Sequence, residues 1–392
     1  MSKKKIMRDV SIIGIGQTPV GEHWDYALRH LALEAIRDAA NDARIDHADA
    51  LFVGNMAAAQ IGGQTNLGAL IADFVGLRGI EAVTVEASSA SGGAALRQAY
   101  LGVASGAFDF ALVVGVDKLT DVVGSAAISA QLTATDADYE ASHGVTPLSA
   151  AAMIMRRYMH EYDAVPQDFA AFSVNAHNNA IHNPNAMFHN KVTPEAFVKA
   201  PMIADPIGLF DAAPAADGAA AVVLAPTDWA RSHRSDGSIR IAASAVATDA
   251  LAVHDRHDPL WLRAAEISVR KAYQQADVTP QDVNLFELHD SCTILAALSL
   301  EAAGYAQRGM GVTFAARGGI GRDGAIPIST QGGLKARGDA GGAAGVYQIV
   351  EVVQQLRGCA GANQIANARV GMAQNLGATG ATAVTHILVR DE

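Results

Sequence analysis

A chain of 392 residues, half of them hydrophobic, with few aromatics and abundant glycine, has material for two packed domains or one duplicated α/β unit. Its formal net charge of −11 supplies no basic field to hold nucleic acid or an anionic membrane. The two cysteines, Cys292 and Cys359, are too few for a disulfide framework, and no apolar run approaches a membrane span. The basic start, MSKKKIMRDVSIIGIG, lacks a signal peptide's apolar core, so the expectation is a soluble cytoplasmic protein.

DVSIIGIGQTPV reads as a buried strand ending in a glycine turn, and YALRHLALEAIRDAANDARI then carries apolar residues at helical spacing. ALFVGNMA and EAVTVEAS are the next strands, followed by a helix over 94–105 and the strand FALVVGVDKL. Residues from about 120 to 205 break the alternation; they are polar, rich in His, Asn and Met, and helical in pieces. An insertion of that length builds a substrate site or an oligomer contact. AAVVLAP resumes the series, and SIRIAASAVATDA opens a second one that runs through LRAAEISVRKAYQQAD, VNLFELHD, TILAALSLEAAG and GAAGVYQIVEVVQQLRG to THILVRD. In each half a small-residue loop, ASGG or AGGAAG, leads into a buried helix, a signal of internal duplication.

The junction VEASSASGGAALRQAY places Ser88 and Ser89 where a strand runs into a helix, a position that collects unpaired backbone N–H groups. Enzymes put nucleophiles there and binding proteins put anions, while small residues also serve close helix packing. The histidines of MHEYDAVPQDFAAFSVNAHNNAIHNPNAMFHN lack a metal-ligating spacing, so no metal is expected.

Four separated stretches, EASSASGG at 86–93, FELHDSCT at 286–293, STQGGLKARGD at 329–339 and AQNLGATG at 373–380, together resemble segments of the thiolase superfamily. EASSASGGAALRQAYLGVASG is similar to its nucleophile segment, which normally reads Cys-Ala-Ser-Gly. FELHDSCTILAALSLE resembles the His-Asp-x-Phe-Thr segment of archaeal and sterol-carrier-protein-type members. STQGGLKARGDAGGAAGVYQ is similar to the Gly-His-Pro segment, and AQNLGATGATAVTHILV to the C-terminal Asn-Leu-Gly-Gly-x-Gly-Ala signature, which brings in Asn375 and Gly377. The resemblance implies a duplicated five-layer αβαβα fold, with an N-terminal half over 1–240 that includes the loop domain, and a C-terminal half over 241–392.

The departures decide the chemistry. Ser89 stands at the family's nucleophilic Cys, and Asp339 at the Gly-His-Pro histidine. A serine hydroxyl is a far weaker acid than a thiol and needs a positioned base. His289 is retained, and the resemblance gives it an oxyanion-hole role; the alternative is a buried His bonded to Asp290 or to a carbonyl. Ser291 stands where sterol-carrier-type members have a second Cys, and Cys292 is either a candidate to substitute for the missing nucleophile or a small buried core residue. Tyr347 is a candidate alternative acid/base or a core aromatic, and Arg156 and Arg157 are candidate contacts to the phosphates of coenzyme A. Three functions stand open: an acetyl-CoA acetyltransferase-like protein that binds acyl-CoA with its Cys-dependent chemistry lost or altered; a thiolase-like aldolase; and a non-catalytic scaffold. The resemblance further implies acyl-CoA as ligand with no permanent cofactor, and a homodimer or tetramer. It also permits a small zinc-ribbon/OB-fold partner and a hydroxymethylglutaryl-CoA synthase-like partner.

Overall fold

A computed structural model describes residues 7–233 and 238–391. Its elements follow the expected alternation. The first half runs β1 (Val10–Gln17), α1 (Leu28–Ala43), β2 (Ala50–Gly54), α2 (Leu67–Phe74), β3 (Glu81–Val85), α3 (Ser91–Ser105) and β4 (Ala111–Lys118). An insertion carrying α4 (Pro147–Tyr162) and α5 (Ala170–Ala180) then precedes β5 (Asp217–Pro226). The second half runs β6 (Ile239–Thr248), α6 (Arg263–Ala276), β7 (Leu285–Glu287), α7 (Thr293–Ala302), α8 (Ala344–Arg357), β8 (Val370–Gly377) and β9 (Thr382–Arg390).

The strand order proves the duplication. In the first half it is β3-β2-β4-β5-β1, with β2 parallel to β3 and β4, and β5 antiparallel to β4 and β1. In the second half Ile328 bridges β7 in parallel, β7 is parallel to β8, and β9 is antiparallel to β8 and β6. Each position of one half has its counterpart in the other. The two sheets meet through a short antiparallel contact of β1 with β6 at Ser11–Arg240 and Ile12–Ile239.

Helices α3 and α8 form the middle layer between the sheets. Leu96 and Ala99 of α3 and Val346, Ile349 and Val350 of α8 share one buried cluster with Val113, Val222 and Leu388 from the strands. Along β4 the neighbours of Val113, Leu112 and Val114, face the outer cluster instead, beneath α1. Burial on both faces explains why these strands are apolar throughout. The glycine pairs set how closely the middle helices approach: a Cβ at Gly92 would lie 2.7 Å from the Gly342 carbonyl oxygen, and one at Gly345 2.6 Å from the Gly93 nitrogen. Gly92→Val would force these helices apart, at a cost of about 1–3 kcal/mol or more.

The insertion packs against the second half. Ile154, Met155, Tyr158, Phe169 and Phe172 join Ile294 and Leu298 of α7 in a third cluster, and the Tyr158 hydroxyl donates to Glu301 at 2.8 Å. No helix among the described residues is long and apolar enough to cross a membrane.

Candidate active site

The loops that leave the carboxyl ends of the parallel strands in both halves converge on one cavity of about 220 Å³. From the first half come Met56 after β2, Ser88 and Ser89 after β3, and Leu119 after β4. From the second come His289, Ser291 and Cys292 after β7, Asp339 and Gly341 before α8, and Ala378 and Thr379 after β8. Gln131, Pro147, Leu148 and Ile203 of the insertion close the remaining side, which places that segment over the site.

The serine turn is held by its own backbone. Ser91 donates its hydroxyl to the Ser88 carbonyl and accepts from the Ala87 N–H at 2.9 Å, while the Ser88 N–H donates to Glu86. Ser88 takes a left-handed φ of 55°. Gly377 lets the end of β8 close over the turn, since a Cβ there would lie 2.6 Å from the Ala87 carbonyl oxygen. Among the described residues no side chain hydrogen-bonds to Ser89, so its hydroxyl has no base in place.

The state of His289 is fixed by Asn375. The Gly93 N–H donates to the Asn375 Oδ1 at 3.3 Å, which turns the amide nitrogen toward His289, and that nitrogen donates to Nδ1 at 3.1 Å. Nδ1 is therefore the acceptor and the ring proton sits on Nε2, which is buried and has no partner within the protein. Burial, with the Arg337 cation behind it, pushes the His289 pKa down to about 3, so the ring is neutral at physiological pH. A neutral N–H donor lining a cavity is suited to holding an oxygen on which charge develops. Asp290 does not touch the ring; its carboxylate accepts from the Leu334 N–H at 2.7 Å and the Ser329 hydroxyl at 2.9 Å, bracing the loop from below.

Asp339 reaches the same cavity. Burial pushes its carboxyl up to about 6, against the opposing pull of the Gly341 N–H, which donates to it at 3.0 Å, and of Arg337. A group titrating near 6 both takes and returns a proton around neutrality. Asp117, not singled out from the sequence, accepts N–H bonds from Met56, Ala57 and Gly342 and so ties the two halves together beneath the site. Its signal was an acidic residue near the end of a strand that is apolar up to that point.

The structure separates three other residues from this constellation. Tyr347 does not line the cavity; its hydroxyl donates to the Thr18 carbonyl at 3.0 Å, its ring lies 4.7 Å from the Arg337 guanidinium, and burial pushes its pKa far up. It is a core aromatic rather than the alternative acid/base. Arg156 pairs with Asp205 and Arg157 with Glu161 at 2.5 Å on the exposed side of α4, and neither lines the cavity. Cys292 does line it, but burial pushes its thiol up to about 12, so no thiolate forms there near neutrality. Among the described residues no group of three or more His, Cys, Asp or Glu side chains is placed to hold a metal.

A duplicated αβαβα chain with its cavity at the carboxyl ends of both sets of parallel strands is the thiolase architecture. Residues 10–228 match the family description "Thiolase, N-terminal domain" and residues 245–390 match "Thiolase C-terminal domain-like". The chain belongs to the thiolase family. It is 44% identical over 386 residues to an acetyl-CoA acetyltransferase of Methanothermobacter thermautotrophicus, covering 98% of this chain and 100% of that one. An acetyl-CoA acetyltransferase of Methanocaldococcus jannaschii is 40% identical, covering 97% and 99%. The solved structure named Ltp2-ChsH2(DUF35) aldolase superposes with a TM-score of 0.84 at 24% identity over 99% of both chains, a likeness of fold.

Proposed function

We propose that this chain binds acyl-CoA thioesters and makes or breaks a carbon–carbon bond in them without an acyl-enzyme, as an aldolase built on the thiolase fold. The observation that carries the reading is the meeting, in one cavity, of a neutral N–H donor at His289 and a carboxyl titrating near 6 at Asp339. In the cleavage direction the substrate is a 3-hydroxyacyl thioester. The Asp339 carboxylate accepts the proton of the 3-hydroxyl, and the bond between the second and third carbons breaks. Its electron pair becomes the enolate of the thioester, whose oxygen is held by the His289 Nε2–H. The third carbon leaves as the carbonyl of an aldehyde or ketone. Asp339 then returns its proton to the second carbon, releasing an acyl thioester shortened by the carbonyl fragment. No covalent bond to Ser89 is made, in keeping with the absence of a base on its hydroxyl.

Two features of assembly belong to the same proposal. Strand β3 is the outer strand of its sheet, with Val83 exposed, and an edge of this kind pairs across a two-fold axis into a homodimer. The likeness to a structure whose name includes a DUF35 component supports a small partner protein for this chain too.

The test is incubation of the purified protein with a series of 3-hydroxyacyl-CoA thioesters, followed by mass spectrometry of the products and of the intact chain. The expected result is a shortened acyl-CoA with a matching carbonyl compound and no mass added to the protein. An acetyl group on Ser89, formed at the turnover rate, would overturn the reading; binding of the thioesters with no cleavage would instead leave a scaffold.

A further inference from the structure

The hydroxyl of Ser88 is a buried polar group of the serine turn to which the described residues give no partner. Its backbone is held on both sides: the N–H donates to Glu86, and the carbonyl accepts from the Ser91 hydroxyl and from the Ser91 N–H at 3.0 Å. That backbone is left-handed, φ 55°, a conformation in which glycine or asparagine is the relaxed choice. Its side-chain oxygen is buried yet has no hydrogen-bond partner, and the residue lines the cavity that also holds His289 and Asp339. A buried hydroxyl that the protein leaves unpaired is costly unless a ligand pairs with it.

We propose that Ser88 is the residue that selects substrates carrying an oxygen on the third carbon, by hydrogen-bonding that oxygen while His289 holds the thioester oxygen. This deepens the aldolase reading and rests on it. A saturated acyl chain would seal the Ser88 hydroxyl against carbon with its hydrogen-bonding capacity unmet. A 3-hydroxyl or 3-oxo group satisfies it, and sites that pair a substrate oxygen reject the analogue lacking it more strongly than apolar pockets reject size differences. The hydroxyl of Ser88 takes no part in bond breaking; it fixes the third carbon against the Asp339 carboxyl.

The experiment is calorimetric binding of 3-hydroxybutyryl-CoA and butyryl-CoA to the full chain and to two variants, Ser88→Ala and Ser88→Gly. The wild type is expected to prefer the 3-hydroxy thioester by about 10- to 100-fold, the range for one buried hydrogen-bonding group left unpaired. Both variants should lose most of that preference while keeping the affinity for butyryl-CoA. Ser88→Gly also relieves the left-handed backbone, so a loss shared by both variants reports the hydroxyl and not strain. A wild type with no preference, or variants that keep it, would overturn the assignment. A preference that both variants abolish, in a protein that cleaves no carbon–carbon bond, would uphold Ser88 as the selecting residue and overturn the aldolase reading alone.

Discussion

Replacing Asp339 by asparagine should make the protein more stable and less active at once. Burial moves this carboxyl from its ordinary 3.8 to about 6, a difference of about two pK units. At about 1.4 kcal/mol per unit, the folded state above pH 6 carries a charge that costs about 3 kcal/mol relative to the unfolded chain. Partial exposure to the cavity lowers the expected gain to about 1–3 kcal/mol. The sign follows from the raised value. Below the unfolded pKa both states are protonated and Asp339 behaves like its amide isostere. As pH rises through the folded pKa the aspartate protein loses stability that the Asn variant keeps, and above that the gap is constant. The Gly341 N–H donates to the Asp339 Oδ1 and finds the same acceptor in asparagine, so the comparison isolates charge. The measurement is paired urea denaturation between about pH 4 and pH 8 at one protein concentration, since association would also shift the midpoints. No gap at neutral pH, or a gap that persists at the acid end, would refute the reasoning.

His289→Ala removes a cavity-lining donor whose tautomer Asn375 fixes, and carbon–carbon cleavage should fall about 10²- to 10³-fold, read from kcat/KM in a folded variant. The wild-type rate should rise through about pH 6 as Asp339 becomes a base, with no second limb from His289 until its own value near 3; a rate flat across that interval would count against Asp339. Ser89→Cys alone should recover little thiolysis of acetoacetyl-CoA, whereas Ser89→Cys combined with Asp339→His should recover measurably more, because thiolate and base act as a unit. Light scattering should give at least a dimer at micromolar concentration, and Val83→Lys on the exposed edge of β3 should shift it toward monomer; a monomeric wild type would end the pairing proposal.

The alternation of strands and helices was legible because each element carries its own period and each turn its own small residues. The duplication was legible only as two glycine-rich loops; its proof is the shared strand order, which depends on pairings between residues as distant in sequence as Val10 and Pro226 and leaves no local trace. Ser89, His289, Asp339 and Gly377 were reachable through motif resemblance, and the structure brings the first three to one cavity and closes Gly377 over the serine turn. Asn375 was reachable as a motif residue, but its hold on the His289 tautomer was not, because that follows from the Gly93 N–H on a distant helix. The errors have the same origin. Tyr347 and the Arg156–Arg157 pair are chemically apt, and only packing shows that Thr18, Asp205 and Glu161 already engage them.

The balance between an enzyme and a passive scaffold turns on what the cavity does to the fold. Asp339 is held where its charge is disfavoured, the His289 Nε2–H is buried without an acceptor, and Ser88 combines a left-handed backbone with an unpaired hydroxyl. Each of these opposes folding by about 1–3 kcal/mol, and for Asp339 the Gly341 N–H and Arg337 offset the cost only in part. Alanine or asparagine at Asp339 and glycine at Ser88 would relieve the strain without disturbing the middle layer, whose packing depends on Gly92, Gly342 and Gly345. A scaffold needs that layer and the edge strand, and has no use for two unpaired polar groups and a disfavoured charge on residues lining one cavity. A ligand with one oxygen for His289, a second for Ser88 and a transferable proton for Asp339 satisfies all three at once, and a 3-hydroxyacyl thioester carries that set.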